Sequence, residues 1–538
     1  MIEGKGLSVF RGIAIGPYHL IKRESVEIAE KSDCKETERE KLRLARERAH
    51  EDLQKLFDKT LKELGEEEAA IIDIQMMMLE DLDFQDSINS LIDEGYSAAY
   101  SVNRAGEEQA TIFASLDDEY MKARCTDIRD ISKRLVNILV GAENSFEMNE
   151  KCIIVADDLT PSETIQLDKS KILAFATREG SRNSHTAILA RVIGIPSIVQ
   201  ADVPLECDLD GKEMVVDGTS GRFYIDPDAD VLNELKAKAE AEEKEIGDLE
   251  TYRGKETISK SGKKVNLFAN IGDAEEVEYA LKGDAEGIGL MRSEFLYLGR
   301  SSLPTEEELF EKYKYVVEKM NGRRVVIRTL DIGADKQADY LNLEKEENPA
   351  LGYRGIRICL RQHDIFRVQL RAILRASALG PVSIMFPMII SKNEVLEIKE
   401  IVKSVKCELE GEGKAVGKDL ELGIMIETPA AAVISDELAK EVDFFSVGTN
   451  DLTQYTLAID RQNAKLESFF DPHHPALMRL LKLIAENAHK EHIWVGICGE
   501  LGSDLALTDE FLKMGYDELS VAPSNILKVR KKIIESEV

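Results

Sequence analysis

Three arginines and two acids lie at or after apolar runs, where their side chains could meet an anionic ligand. The arginines are Arg292, Arg328 and Arg461, and the acids are Glu427 and Asp451. Guanidinium groups present forked donors that match phosphate and carboxylate oxygens, and Mg²⁺ accepts carboxylate oxygens alongside those of a substrate phosphate. Together these residues predict a site for a small phosphate ester and a Mg²⁺ ion. Taken singly, each could be part of an ordinary ion pair on the rim of a fold.

A cysteine, Cys498, ends another apolar run, in the sequence ICGE. Buried cysteines are usually inert small hydrophobes. A thiol with the ordinary pKa of about 8.5 is nevertheless mostly protonated at neutral pH. If Cys498 lies beside the reacting atoms, it can therefore donate a proton to a carbanion or an enolate.

A third group of candidates surrounds His185, in the segment GSRNSHTAILAR. Small polar residues precede the histidine and an apolar run of helical character follows it, which predicts that His185 lies at a helix N-terminus. The helix dipole and free N–H groups favour an anion there and keep the imidazole neutral and nucleophilic. We expect Ser184 and Thr186 to cap this helix and to donate to phosphate oxygens. The alternative is that His185 is an ordinary first-turn residue that binds nothing.

The elements that must position the arginines, the acids and the thiol follow a regular pattern after residue 260. Strand-like runs alternate with stretches that mostly read as helices, at 264–270, 287–292, 325–331, 382–387, 422–427, 444–449, 494–498 and 518–522. Eight βα repeats in roughly 270 residues are typical of a (β/α)8 barrel, whose active sites lie at the carboxyl ends of the strands. The polar residues at those ends are Asn270, Arg292, Arg328, Asp331, Glu427, Asn450, Asp451 and Cys498. A doubly wound open sheet is the alternative, but it does not require eight regular repeats.

The first part of the chain predicts an α/β domain that is interrupted by helices. Strand-like runs occur at 6–21, 152–156, 172–176, 214–217 and 222–225. Between them, residues 33–140 have almost no proline, and leucine and alanine recur at helical spacing. We assign 1–24 and 144–227 to an α/β domain, 25–143 to an all-helical insert, 228–257 to a linker helix and 258–538 to the barrel.

The composition excludes several classes of partner. The chain has 538 residues and a formal net charge of -31, so its surface repels nucleic-acid backbones and anionic lipids. Its seven cysteines are dispersed and form no CxxC pair, which favours a reducing cytoplasm over a disulfide framework. The first residues lack the pattern of a signal peptide, and no apolar stretch reaches the length of a transmembrane helix.

Taken together, these segments resemble the enzyme I family of the bacterial sugar phosphotransferase system. The resemblance extends over essentially the whole chain and is carried by SHTAILAR, GIGLMRSEFLY, RTLDIGADK, IMIETPAAA, VDFFSVGTNDLTQYTLAIDR and GICGE. The helical insert distinguishes this family from pyruvate phosphate dikinase and phosphoenolpyruvate synthase, which carry a large ATP-binding domain instead. The chain departs from the usual family pattern at Ser181, Asn183 and Ala334.

The resemblance implies a reaction and a role for each candidate. His185 is implied to take the phosphoryl group of phosphoenolpyruvate through Nε2 and to pass it to a histidine of the carrier protein HPr, bound at the helical insert. Pyruvate is released in this first step of sugar uptake. The implied substrate-binding residues are Arg292, Arg328, Asn450, Asp451 and Arg461; Glu427 and Asp451 are implied ligands of Mg²⁺, and Cys498 the proton donor.

The same resemblance implies a homodimer formed through the barrels. Residues 228–250 follow Pro227, are rich in charge and contain no β-branched run, which predicts a linker helix. Because His185 must visit two places, we expect this helix and the loops around it to act as the hinge. Two other interpretations remain open. The chain could be a non-catalytic regulatory protein on the same scaffold, or an enzyme of the same superfamily that phosphorylates a different carrier.

Overall fold

The computed structural model forms two compact units, Met1–Glu245 and Ile246–Val538. It describes residues 1–21, 28–32, 34–63, 66–114, 119–141, 148, 150–160, 163–164, 167–180, 184–298, 300, 302–333, 339–341, 343–344, 346–461 and 463–538. In this part of the chain, no helix is long and apolar enough to cross a membrane.

A mixed sheet forms the base of the first unit. Its strands are β1 (Ile2–Lys5), β2 (Leu7–Phe10), β3 (Ile13–Leu20), β4 (Cys152–Ala156), β5 (Ile172–Thr177), β6 (Ser197–Val199), β7 (Glu213–Asp217) and β8 (Arg222–Ile225). They lie in the order β1-β8-β7-β3-β4-β5-β6-β2. The central pairs β3–β4, β4–β5 and β5–β6 are parallel, as expected for an α/β domain. The sequence pattern did not predict β1 or β6, because β1 is polar and exposed and β6 has only three residues.

A helical insert separates β3 from β4. Its helices are α1 (Lys35–Glu63), α2 (Glu66–Glu80), α3 (Leu82–Asp93), α4 (Ala98–Ala114) and α5 (Glu119–Val140). The apolar residues that recur along α1 at helical spacing face a shared core, in which Leu42, Ala49 and Leu53 are buried. The predicted insertion of helices into an α/β domain is therefore confirmed.

Two further helices of the N-terminal region bear on the predicted site. Helix α6 (His185–Ile193) lies between β5 and β6, where a parallel crossover requires one. Helix α7 (Ala229–Glu250) follows β8, and the boundary between the two units falls inside it. Near the middle of α7, Lys238 Nζ lies 2.6 Å from Asp217 Oδ2 at the end of β7.

The second unit is a closed barrel of parallel strands, as the repeat pattern predicts. Its strands are β9 (Asn266–Ile271), β10 (Ile288–Arg292), β11 (Val325–Arg328), β12 (Val382–Phe386), β13 (Glu421–Ile426), β14 (Phe444–Val447), β15 (Trp494–Ile497) and β16 (Glu518–Val521). Each pairs with the next in parallel, and β16 pairs with β9 to close the ring. The open-sheet alternative is wrong.

Helices surround the barrel. They are α8 (Val277–Lys282), α9 (Glu306–Met320), α10 (Ile356–Cys359), α11 (His363–Ala376), α12 (Lys392–Gly411), α13 (Pro429–Val433), α14 (Ser435–Leu438), α15 (Thr449–Leu457), α16 (Pro475–Lys490), α17 (Thr508–Met514) and α18 (Ile526–Glu535). One large core lies between these helices and the strands. A smaller cluster fills the barrel interior, including Val326, Met425, Phe444 and Cys498. Successive strand residues alternate between the two cores, which fixes which side chains face inward.

A buried arginine joins the last helix to the segments that precede the first two strands of the barrel. Arg530, on α18, is 1% exposed, and its Nε donates to Thr257 Oγ1 over 3.1 Å. Its Nη2 donates to the carbonyl of Asp284 over 2.7 Å, and its Nη1 bonds the carboxylate of the same residue. These bonds connect segments of the chain that are far apart in sequence, so they help to close the ring.

We expect Arg530→Met to destabilise the barrel by about 3 kcal/mol, because it leaves buried acceptors without their donor. The midpoint of urea unfolding can be followed by fluorescence of the single tryptophan, Trp494, which lies on β15. Lys531→Met is the matched control, since the neighbouring Lys531 forms an exposed pair with Asp248 and should matter much less. Equal losses in the two variants would contradict a special role for Arg530.

Candidate active site

The carboxyl ends of the barrel strands surround a cavity of 480 Å³. The seven barrel residues to which the sequence analysis gave a role in substrate binding, metal binding or proton transfer all line it: Arg292, Arg328, Glu427, Asn450, Asp451, Arg461 and Cys498. They come from five strands and the connections that follow them, so the closed ring is what brings them together. The cavity is of the size at which proteins bind small ligands.

The floor of the cavity holds a network of buried charges around Arg328. Its Nη2 donates to Glu294 Oε1 over 2.5 Å, and its Nη1 lies 3.0 Å from Asp331 Oδ2. Arg354 Nη2 donates to both oxygens of Asp331, each over 3.1 Å. Burial lowers the pKa of Arg328, but Glu294, Asp331 and Glu427 together raise it above its ordinary value. Both guanidinium groups therefore stay charged and are held in fixed orientations.

Glu427 lies at the end of β13 and is fully buried. Its Oε1 accepts from the backbone N–H of Met388 over 2.6 Å, whereas its Oε2 has no hydrogen-bond partner in the described part of the chain. Burial, and then the charges of Asp331 and Asp451, raise the pKa of Glu427 well above its ordinary value. A β-carbon at Gly448 would lie 3.1 Å from Oε2, so glycine at this position keeps the space beside that oxygen open.

The donor set fits Mg²⁺. The unpartnered Oε2 of Glu427 is a hard oxygen that needs a cation or a proton beside it. Asp451, in the first turn of α15, lines the same cavity. Among the described residues, no group of three or more His, Cys, Asp or Glu side chains could hold a metal alone. Two carboxylates with substrate oxygens and water are the ligands on which Mg²⁺ commonly relies.

One wall of the cavity is built by α15 and the segment after it. Arg461 Nη2 lies 4.0 Å from Asp451 Oδ1, and the backbone N–H of Arg461 donates to Gln454 Oε1 over 3.2 Å. Asn450 Nδ2 donates to Glu500 Oε1 over 3.1 Å, and Asn450 Oδ1 accepts from the N–H of Glu500 over 3.0 Å. Arg461 is about one-third exposed, so it can meet a ligand that enters from solvent.

Cys498 follows β15 and lines the cavity although it is only 3% exposed. Its Sγ donates to the carbonyl of Val447 over 3.6 Å. Burial raises the pKa of the Cys498 thiol to about 12, more than the hydroxyl of Ser446 lowers it. The thiol is therefore fully protonated at neutral pH, which strengthens the prediction that it can give a proton to a strong base such as an enolate.

Three residues of the site were not singled out as ligands from the sequence. Glu294 and Arg354 line the cavity, and Asp331, noted only as a strand-end residue, orients both buried arginines. Their signal was their spacing, since Glu294 follows Arg292 by two residues and Asp331 follows Arg328 by three. Asn270 has a different role from the other strand-end residues, because its Nδ2 donates to the carbonyls of Cys498 and Ser520.

The predicted helix begins at His185, as the sequence pattern indicates. Ser184 is its N-cap, and its side chain accepts from the N–H of Ala187 over 3.4 Å. The expectation that Thr186 also caps the helix is wrong, because Ser184 is the N-cap and the buried hydroxyl of Thr186 has no hydrogen-bond partner in the described part of the chain. The side chain of His185, and the whole of Ser181, Asn183 and Ala334, lie outside the described residues.

Known protein families match the chain in three segments. The PEP-binding domain of PEP-utilising enzymes matches residues 247–538, their N-terminal domain matches 5–124 and their mobile domain matches 148–221. The first match covers the whole barrel with the cavity, and the third contains β5, α6 and β6.

Curated relatives are similar over nearly their full length. The phosphoenolpyruvate-protein phosphotransferase of Bacillus subtilis (strain 168) is 43% identical over 99% of this chain and 94% of its own. That of Staphylococcus aureus (strain MSSA476) is 42% identical over 98% of this chain and 93% of its own, and that of Priestia megaterium is 41% identical over 99% and 93%. The chain therefore belongs to the phosphoenolpyruvate-protein phosphotransferase family of PEP-utilising enzymes.

Proposed function

We propose that the protein transfers the phosphoryl group of phosphoenolpyruvate to its own His185 and then to a histidine of the carrier protein HPr, releasing pyruvate. The observation that carries the proposal is the barrel cavity, in which arginines, two carboxylates and a protonated thiol converge. This is the donor set that a small trianionic phosphate ester and its enolate product require. In this proposal the reaction is the first step of sugar uptake and takes place in the cytoplasm.

Phosphoenolpyruvate binds through its phosphate and carboxylate groups. Arg328 and Arg461 offer donors from the floor and the wall of the cavity, and Arg292 offers another from the end of β10. Asn450, held by Glu500, presents an amide beside them. Because Arg328 is fixed by Glu294 and Asp331, it needs little reorganisation when the ligand binds.

Mg²⁺ would be held by Glu427 and Asp451 together with oxygens of the substrate. When bound, it would neutralise part of the negative charge of phosphoenolpyruvate and of the enolate. The protein's own part is to present Glu427 Oε2 in a site from which water is largely excluded.

The imidazole of His185 accepts the phosphoryl group in line through Nε2, and its place at the start of α6 favours the bound phosphate. The thiol of Cys498 then gives its proton to C3 of the enolate, which makes pyruvate. Transfer requires His185 at the cavity in one step and at HPr, bound on the helical insert α1–α5, in the next.

We also propose a role for each segment of the chain. Residues 1–24 with 144–227 carry the phosphohistidine, 25–143 receive HPr, 228–257 link the two parts and 258–538 bind the substrate. The barrels of two chains form a homodimer.

His185→Ala should take up no label from ³²P-phosphoenolpyruvate, because it lacks the accepting nitrogen. Binding of phosphoenolpyruvate with Mg²⁺, measured by calorimetry, should be unchanged within about twofold, since the cavity is intact. His50→Ala, on an exposed part of α1, is the matched control and should label normally. Label retained by the His185 variant would contradict the assignment.

Cys498→Ala should still phosphorylate His185 but should release pyruvate about 100-fold or more slowly, because general acid catalysis contributes at least that much. Rapid-quench assays can follow phosphoenzyme and pyruvate separately. Cys359→Ala removes another fully buried cysteine outside the cavity and controls for packing. The proton-donor role fails if a folded Cys498→Ala loses phosphorylation altogether, or if it releases pyruvate at the normal rate.

Glu427→Gln should lower activity on the order of 100-fold or more at fixed Mg²⁺, because a carboxylate ligand is lost. Its metal-free thermal stability should nevertheless equal or exceed that of the wild type at neutral pH. The folded pKa of Glu427 is raised, so folding favours its neutral form, and that contribution is lost as the pH rises from the unfolded pKa toward the folded one. Below the unfolded pKa the two proteins should become equally stable.

Melting curves between acidic and neutral pH, together with Mg²⁺ titrations of activity, check both parts of this prediction. Glu437→Gln, at an exposed position on α14, should change neither. A Glu427→Gln protein with normal Mg²⁺ dependence would remove Glu427 from the metal site.

A further inference from the structure

The barrel interior contains a second buried acid that the proposed mechanism does not use. Glu518, the first residue of β16, is 1% exposed. Neither of its carboxyl oxygens has a hydrogen-bond partner among the residues that the structure describes. Leaving such a group unpaired is costly, so its retention needs a reason other than stability.

Two glycines make room for this carboxyl group. A β-carbon on Gly496 of β15 would overlap Oε2 of Glu518, and one on Gly289 of β10 would overlap Oε1. The carboxyl group therefore lies inside the barrel between β15, the neighbouring strand, and β10, which is two strands away on the other side. It is shielded from solvent inside the barrel.

Glu518 is close to Cys498 through the strand register. Ser446 pairs with Gly496, and Gly496 pairs with Glu518, so these three residues lie side by side on neighbouring strands. Cys498 is two residues beyond Gly496, and residues two apart near a strand face the same side. The hydroxyl of Ser446 is buried and interacts with the Cys498 thiol closely enough to lower its pKa, and it has no other hydrogen-bond partner within the described structure.

A second connection holds the same residues together from the other side. The hydroxyl of Ser520 donates to Asn270 Oδ1 over 2.6 Å, and Asn270 Nδ2 donates to the carbonyl of Cys498 over 2.9 Å. A β-carbon on Gly289 would overlap both the Ser520 hydroxyl and Glu518 Oε1, so these two groups are neighbours. These hydrogen bonds and close contacts therefore hold Glu518 and Cys498 in neighbouring positions inside the barrel.

We propose that Glu518 resupplies the proton that Cys498 gives to the enolate, and that the proton passes through the hydroxyl of Ser446. This inference rests on the proposed function, because it concerns how Cys498 regains a proton after it has protonated the enolate.

The protons balance over one turnover. The S–H bond of Cys498 breaks as a C–H bond forms at C3 of the enolate, which leaves pyruvate and a thiolate. The O–H bond of Glu518 then breaks as its proton moves to the Ser446 oxygen, while the hydroxyl proton of Ser446 moves to the thiolate. The thiol is restored and Glu518 becomes a carboxylate, which takes a proton from bulk water before the next turnover.

The order of acidities supports this direction of transfer. Burial raises the pKa of Glu518 to about 8, although Arg324 lowers it, and Asp517 raises it further. The pKa of Cys498 is about 12, so a thiolate takes a proton from Glu518 favourably. At neutral pH Glu518 is mostly protonated and holds the proton in readiness.

The test is Glu518→Gln, which keeps the shape of the side chain but cannot give up an acidic proton. With phosphoenolpyruvate, Mg²⁺ and HPr, the full-length variant should form its first equivalent of pyruvate at the wild-type rate within twofold. Later turnovers should be at least tenfold slower, so a burst of one pyruvate per site appears that the wild type lacks. The wild-type steady-state rate should fall as Glu518 ionises above a pH of about 8, and the variant should lack this fall.

Ser446→Ala should show the same burst, and it tests the route if Glu518→Gln does not fold. Glu421→Gln is the matched control, because this glutamate of β13 is already partnered by Arg324 and Ser383; its turnover should be normal. The inference is overturned if Glu518→Gln and Ser446→Ala turn over like the wild type, or if they slow the first and later turnovers equally. A wild type that makes no pyruvate would instead overturn the proposed function.

Discussion

The barrel mouth takes charged and polar groups out of water and leaves one carboxyl oxygen without a partner in the described structure. Arg328 and Arg354 share the carboxylate of Asp331, while Oε2 of Glu427 has no hydrogen-bond partner in the described structure. Each buried ion costs several kcal/mol, and a pair repays this only when its geometry is complete. The site is therefore incomplete by itself, and an anion that binds together with a cation supplies what is missing. The groups at the barrel mouth therefore lower the stability of the fold and provide a binding site.

The closed ring of strands is what brings these groups together. Parallel strands all end on the same side, so Arg292, Arg328, Glu427 and Cys498 meet although more than 200 residues separate the first from the last. Because the strands are packed on both faces, the backbone cannot relax to separate like charges. Arg530 lies near the C-terminal end of the chain and joins α18 to the start of the barrel, so it stabilises the same closed ring.

The strand-end residues could be predicted from the sequence because eight successive βα repeats show where each strand must end. Arg328, Glu427 and Cys498 were identified in this way, and the structure places them in one cavity. Arg354 was not, since it follows no strand and its position depends on the path of a long connection. Glu518 was not either, because its burial follows from glycines on other strands. Such side-chain partnerships depend on tertiary packing, which no local pattern contains.

A crystal structure of the protein with phosphoenolpyruvate and Mg²⁺ would test the proposed site most directly. We expect the ligand in the barrel cavity, with its phosphate or carboxylate oxygens on Arg292, Arg328 and Arg461. We also expect the metal between the ligand, Glu427 and Asp451, and Cys498 near C3. A ligand bound elsewhere, or a metal that does not touch Glu427, would contradict it.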